Sequence, residues 1–348
     1  MMALSDWMAD YQNRRLAELH LPGSHDAGTV KGFVDLTRLG TVSNAVTQNL
    51  TITQQLAAGT RFFDLRLASN WTGQVVPHHT TLRQGAYGKV SVDTTLVEAA
   101  QWCSAHGTEV AIFRISHTDL ATNAHEIAKR SGRGSLHTGN GNLATKTLAE
   151  ITREGGGMVC IFDEESFAGV INQGDGIHSF SKYEKQQVND RGLSICGVYE
   201  GTHTLDTVIG NGLRGQYQHN VDHFEGMRSH LWQLYWQKTY INPASRTGIE
   251  SGATRAFSQS GGKAHGGTHA ATDHMIQLMT TRAGAEGEDY TLQKEKSHPE
   301  GFFRKKVVDK QKVLMSTRPA RNFMLPNIFS YDFVNVVQNQ KIVDLNRP

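Results

Sequence analysis

Apolar positions near the start recur at helical spacing. Leu4, Trp7, Met8, Tyr11 and Leu16 predict a short amphipathic helix over 4–16. Alternation over Ala17–Leu21 then predicts a strand. The Pro22-Gly23 turn signal stops it, and His25 and Asp26 follow side by side where the backbone leaves it. Residues 43–58 read as a helix that starts from Ser43 or Asn44 and ends at Gly59. Arg61–Leu67 is a second strand and Gln74–His79 a short third. Thr94–His106 is a helix closed by Gly107, and Glu109–Ser116 a fourth strand. A helix over 144–154 ends at Gly155-Gly156-Gly157. Met158–Phe162 is then a fifth strand, Leu193–Tyr199 a sixth and His230–Lys238 a seventh. Residues 245–300 are rich in Gly, Ser, Thr and His with little apolar periodicity, and read as a long excursion on the rim of the fold. Pro326–Phe333 is the last strand and Val334–Gln340 a closing helix.

Strands alternating with helices about eight times predict a parallel sheet. At 348 residues this indicates a distorted (β/α)8 barrel as one domain over 1–348, with 245–300 inserted before the last strand. A doubly wound open sheet is the alternative, but no GxGxxG fingerprint is present and the polar strand ends would be scattered. In a barrel they converge on one mouth. His25 and Asp26 follow the first strand, Arg66 ends the second, His79 the third, Ser116-His117 the fourth and Asp163-Glu164 the fifth; Asp332 lies in the last.

Composition narrows the class. Hydrophobic residues make up 38% and charged residues 20%, as in an ordinary globular protein. A net charge of +2 supplies no field that would select nucleic acid. Cys103, Cys160 and Cys196 are far apart, form no CxxC and sit in apolar segments, so they read as buried free thiols. No apolar run approaches the ~18 residues of a membrane span. Met1–Arg15 has no signal-type apolar region, and the protein is expected to be exported by another route or delivered as an effector that acts peripherally on membranes, as a monomer.

Two histidines on strand ends with an arginine between them suit a particular reaction. Phosphodiester cleavage by an internal hydroxyl needs a base for the attacking hydroxyl, an acid for the leaving oxygen and fixed positive charge for the phosphate oxygens. Two imidazoles and a guanidinium supply all three without a metal or other cofactor. Arginine suits the third role because its planar donors match phosphate and it stays charged. His20, His106 and His137 read as surface or packing histidines. Asp64 reads as a buried partner of a histidine or arginine near the site. Arg114 reads as a structural ion pair in the barrel mouth, with substrate contact the alternative. His265, His269 and His274 lie in a glycine-rich setting without supporting acids and do not read as a metal site. Arg304-Lys305-Lys306 after Phe302-Phe303 reads as a solvated run, with contact to an anionic membrane surface the alternative.

The ordered segments LPGSHDAG, FFDLR, the His78-His79 pair, EVAIFRISH and NIFSYDFVNVVQNQK resemble the X domain of the phosphatidylinositol-specific phospholipases C, over residues 17–118 and 326–340. The resemblance implies cleavage of phosphatidylinositol to diacylglycerol and inositol 1,2-cyclic phosphate. It implies that His25 takes the inositol 2-hydroxyl proton and that Asp332 orients it. Arg66 would stand where calcium-dependent relatives hold a metal-ligating acid. His79 would protonate the diacylglycerol oxygen, with Asp26 paired to that acid and to the arginine. Where the family reads the head group this chain departs: Ser116 aligns with the family's lysine, its inositol-binding arginine aligns near Asp163, and Tyr183 is the candidate ring-stacking tyrosine; after the histidines, Thr80 replaces the family's glycine. Asp64 and Arg114 complete the candidate substrate-binding set. The alternatives are a calcium-dependent phospholipase C, a glycerophosphodiesterase on the same barrel, and a catalytically silent module that binds a lipid head group.

Overall fold

The computed structural model describes residues 3–30, 34–35, 47–70, 72–81, 84–88, 90–116, 135–163, 169, 171–182, 189–198, 230–236 and 326–347. Eleven strands are present among them: β1 (Leu21–Ser24), β2 (Val34–Asp35), β3 (Phe62–Ser69), β4 (Val75–Thr81), β5 (Gln84–Tyr87), β6 (Ala111–Ser116), β7 (Met158–Asp163), β8 (Ile177–Lys182), β9 (Gly192–Val198), β10 (His230–Trp236) and β11 (Ile328–Tyr331). The helices used below are α1 (Ile52–Ala57), α2 (Val92–Ala105), α3 (Leu148–Arg153) and α4 (Val336–Asp344).

β1, β3, β6, β7, β8, β9, β10 and β11 pair in parallel, and β1 pairs with both β3 and β11, which closes the ring. This is the expected (β/α)8 barrel, reached by a different set of strands. The predicted third strand is β4, which runs antiparallel to β3 and then to β5, outside the ring. The missing barrel strand is β8. Its sequence, IHSFSK, has only two strongly apolar residues, and its buried His178 and Ser179 disguise it. The first strand also lies later than expected. Pro22 and Gly23 are inside β1, and the Pro22 carbonyl accepts the Arg61 N–H at 2.9 Å. Gly23 is required there because a Cβ would come 2.7 Å from Ser330 Oγ on β11.

Alternation along the strands builds two cores. Phe63, Leu65, Phe113, Ile115, Cys160 and Phe162 face outward and pack on Leu56 of α1 and Leu96 and Ala99 of α2. Phe62, Ile112, Ile161, Leu193, Leu231 and Ile328 face inward, where Leu4, Trp7, Met8 and Leu16 plug the floor. That plug is a 3₁₀ helix over Leu4–Tyr11, not the α-helix expected over 4–16. The helix expected over 43–58 is described only from Ile52. Thr51 caps it by accepting the Gln54 N–H, while Gln54 reaches back to the Thr51 N–H. Cys103 and Cys160 are buried and free, as expected. Burial pushes the Cys103 thiol up to about 12 and raises Cys160 as well. The side chain of Cys196, the excursion 245–300, the histidines at 265, 269 and 274 and the run 302–306 lie outside the described residues. No described helix is long and apolar enough to cross a membrane.

His137 and His178 stack in the interior near the start of β8, with ring centroids 5.1 Å apart. His137 Nδ1 donates to the Ile151 carbonyl at 2.9 Å. His178 Nε2 donates to the His137 carbonyl at 3.0 Å, and its Nδ1 accepts from Gln173 Nε2 at 3.1 Å. The Gln173 amide cannot turn round, because the Gly141 N–H donates to its Oε1 and its Nε2 donates to the Gly141 carbonyl. The arrangement therefore needs a neutral His178. Burial pushes that imidazole down to about 4 and lowers His137 too. A folded value below the unfolded one, about 6.5, gives stability that is complete above that pH and is lost as pH falls toward 4. The loss assigned to His178 is on the order of 3 kcal/mol. Denaturant unfolding from pH 7 to 4 should show it, and His178→Asn should flatten the curve. An equally steep curve in that variant would contradict the assignment.

Candidate active site

The site grows from the turn that follows β1. His25 is buried, and its N–H donates to the Tyr331 carbonyl at 3.3 Å, tying the ends of β1 and β11 together. Asp26 adopts φ +41°, in the left-handed region that aspartate tolerates better than most residues. The chain thus turns back, and the Ala27 N–H donates to the Asp64 carbonyl on β3 at 2.8 Å. Gly28 lies under Pro77 of β4, where a Cβ would sit 2.4 Å from the proline ring. This close approach brings the β4 hairpin over the His25–Asp26 turn.

Asp332 follows β11, fully buried, and accepts from His25 Nδ1 at 2.8 Å. A carboxylate can only accept here, so Nδ1 carries the proton and Nε2 presents its lone pair. Arg66 Nη2 stands 3.2 Å from that Nε2. Arg66 Nε lies 2.6 Å from Asp26 Oδ1, and Nη2 lies 3.4 Å from Asp64 Oδ2. Asp26 Oδ2 is 3.5 Å from His25 Nε2. One guanidinium therefore touches a histidine and two aspartates, with its side chain 22% exposed while both acids are buried. Burial lowers the His25 pKa, but the charges of Asp26 and Asp332 and the hydrogen bond to Asp332 outweigh burial and Arg66, so the net shift is upward.

Ligand atoms of His25, Asp26 and Asp64 lie within 4.8 Å of one another, the one cluster among the described residues with metal-ligand composition. Arg66 is in contact with all three, so a fixed cation already serves them.

The wider set is spread around the mouth. The β3–β6 register sets Asp64 beside Arg114 and Arg66 beside Ser116. Ser116 Oγ donates to Asp64 Oδ1 at 3.4 Å. Arg114 is buried and lies over the Phe180 ring, 4.3 Å from its centroid. Asp163 ends β7 and is half-buried. Tyr183 and His117 lie outside the described residues. In β4, His78 is buried and pairs with Tyr87, while His79 pairs with Ala86. Of the other histidines, His20 is buried with Nδ1 2.8 Å from the Pro326 carbonyl, and His106 pairs with Asp6 at 2.7 Å, both packing roles.

Sequence reasoning missed the residues that hold the turn in place. Gln48 Nε2 donates to the His25 and Tyr331 carbonyls at 2.8 and 3.2 Å, and Gln48 Oε1 accepts the Val334 N–H at 3.0 Å. Thr47 Oγ1 donates to the Asp26 carbonyl at 2.9 Å, and the Phe333 N–H donates to the Thr47 carbonyl at 2.7 Å. These two residues were read as helix interior. The Thr51-to-Gln54 capping box was the available signal that the helix starts later.

Comparison with known proteins bears on the family. No protein-family model matches the chain. Human PI-PLC X domain-containing protein 1 is 27% identical over 192 residues, covering 47% of this chain and 58% of that protein. The mouse protein of the same name is 32% identical over 136 residues, covering 31% and 38%. The chain resembles the PI-PLC X-domain proteins. Its match spans little more than half the length of the human relative. The phosphatidylinositol-specific phospholipase C of Listeria monocytogenes superposes with a TM-score of 0.56 at 13% identity, with 100% of both chains covered. That of Staphylococcus aureus gives 0.55 at 15% identity, covering 99% of this chain and 98% of that one. These structures share the barrel fold described here.

Proposed function

We propose that the protein is a phosphodiesterase that cleaves phosphatidylinositol or a related lipid at a membrane surface, by general acid–base catalysis without a metal. The observation that carries the reading is the Arg66 guanidinium in contact with His25, Asp26 and Asp64 at the barrel mouth. His25 Nε2 takes the proton of the inositol 2-hydroxyl, whose oxygen forms a bond to phosphorus. Arg66 neutralises the charge that builds on the phosphate oxygens. The bond from phosphorus to the diacylglycerol oxygen breaks, and a second imidazole gives that oxygen its proton. The products are diacylglycerol and inositol 1,2-cyclic phosphate. Asp332 holds the tautomer of His25, Asp26 holds Arg66, and Asp64, Arg114, Ser116 and Asp163 line the head-group side.

The resemblance assigns the second imidazole to His79. One observation favours its neighbour. The β3–β4 ladder pairs Ser69 with Val75, Ala68 with Val76 and Leu67 with Pro77. Continued by one residue beyond its last pair, that register would set His78 opposite Arg66, on the same face. Separate His78→Ala and His79→Ala variants decide between them. The acid's loss should lower turnover of phosphatidylinositol at least ~10²-fold, the other's far less. Near-full activity in both would overturn the two-imidazole reading. Product analysis tests the chemistry itself, since release of inositol phosphate with no cyclic form at early times would contradict attack by the 2-hydroxyl.

A further inference from the structure

Two non-glycine residues among those described hold the backbone in the left-handed region, Asp26 at φ +41° and Phe333 at φ +58°. A bulky residue such as phenylalanine rarely adopts it, and the conformation persists only where the surroundings over-determine it. Their places are informative. Asp26 directly follows His25, the base of the proposed reaction, and Phe333 directly follows Asp332, the acid that orients it. The paired register of β1 and β11 ends at Ser24 and Tyr331, one residue short of both groups. The 2.8 Å contact between His25 Nδ1 and Asp332 Oδ1 therefore joins two turns rather than two strands.

One dipeptide braces both turns. Gln48 is fully buried. Its Nε2 donates to the His25 carbonyl at 2.8 Å and to the Tyr331 carbonyl at 3.2 Å, and its Oε1 accepts the Val334 N–H at 3.0 Å. Both ends of the amide are engaged, so it has one orientation. Thr47, also buried, repeats the arrangement one residue earlier. Its Oγ1 donates to the Asp26 carbonyl at 2.9 Å, and its own carbonyl accepts the Phe333 N–H at 2.7 Å. The dipeptide is itself anchored, because the N–H groups of Thr47 and Gln48 both donate to the Thr29 carbonyl at 3.2 Å.

We propose that Gln48 and Thr47 are positioning residues for the base, which set the His25–Asp332 hydrogen bond by locking the two turns together and act on the reaction through that bond. This rests on the reading of His25 as the general base. Misplacing a reacting group by about 1 Å costs on the order of 10²-fold in rate, so a brace on main chain alone can govern turnover.

The test is a double-mutant cycle on the full chain, read as kcat for phosphatidylinositol. Gln48→Met keeps the length of the side chain and removes its three hydrogen bonds. It should lower kcat at least ~10-fold with KM little changed. In an Asp332→Ala background, where the bond it serves is gone, the same change should cost less than ~3-fold. Equal losses in both backgrounds, or an unchanged kcat in a folded Gln48→Met, would overturn the proposal. NMR of the His25 ring gives a readout that needs no turnover. Relative to the amides of β6 and β7, its Nδ1–H should exchange with solvent at least ~10-fold faster in Gln48→Met than in the wild type. Exchange at the wild-type rate would also overturn the proposal. Thr47→Val, which is isosteric and loses only the donor to Asp26, serves in both measurements if Gln48→Met does not fold. Faster ring exchange in a protein that cleaves no phosphatidylinositol would leave the brace standing and remove the proposed activity instead.

Discussion

Alanine in place of His25 is expected to lower cleavage of phosphatidylinositol by at least ~10²-fold, the usual scale for losing a general base. The reason is the geometry of the ring. Asp332 accepts the Nδ1–H at 2.8 Å, so the lone pair on Nε2 is the one that meets the hydroxyl. Nothing else among the contacts of Arg66 can replace it, since Asp26 and Asp64 are held by the guanidinium. The same surroundings fix the pH dependence. Asp26 and Asp332 hold the His25 pKa above its ordinary value despite burial. The base works only when neutral, so activity should fall as pH drops below a midpoint higher than about 6.5. The profile should be bell-shaped, because the second imidazole must keep its proton. His25 is buried rather than lying open at a strand end, and alanine leaves a cavity between two carboxylates. Stability therefore falls too, and rates are to be compared where unfolding curves show both proteins folded. Near-wild-type turnover, or an acid limb well below pH 6, would remove His25 from the role of base.

Arg61→Ala should be the most destabilising single change, by about 3–5 kcal/mol. Arg61 is fully buried at the floor of the barrel. Its Nε and Nη2 donate to Glu109 Oε2 at 2.9 and 2.5 Å. Nη1 donates to the Leu56 and Thr60 carbonyls, and Nη2 to those of Leu4 and Ser5. Trp7 and Trp102 lie 5.9 and 4.8 Å from the guanidinium. One side chain thus joins the N-terminal plug, α1, β3 and the start of β6. Its loss leaves the Glu109 carboxylate buried without a cation, with the Met8 N–H still donating to Oε1, and burial already raises that carboxyl despite the arginine. Against a typical stability of roughly 5–15 kcal/mol, the change is large. Removing both charges together, as Arg61→Met with Glu109→Met, should cost less than Arg61→Ala alone. A denaturant midpoint for Arg61→Ala within ~1 kcal/mol of wild type would show that the plug is held by packing alone.

How much of this was legible in the sequence depends on the chemistry of each element. Met158–Phe162 and Val110–Phe113 are continuous apolar runs, as parallel strands buried on both faces must be, and both are in the barrel. β8 broke that rule because its inward His178 is satisfied by Gln173 and a carbonyl, which no local pattern reveals. β4 was recognised as a strand, but a hairpin through Asn70–Gly73 reverses its direction and excludes it from the ring. The count of eight was thus right while one member was wrong. At the site, His25, Asp26, Asp64, Arg66 and Asp332 meet as the strand ends suggested. The Thr47–Gln48 strut was hidden because its hydrogen bonds join turns that are 283 residues apart in sequence, Gln48 to Tyr331. The choice between His78 and His79 depends on the register of β4, which a single-residue slip reverses.

The central claim is that Arg66 supplies the positive charge that the reaction needs. It is tested most directly by cleavage of phosphatidylinositol vesicles with a chelator in large excess. The account expects the full rate to persist and inositol 1,2-cyclic phosphate to be the first product. Complete loss of cleavage in chelator, restored by added calcium, would contradict it.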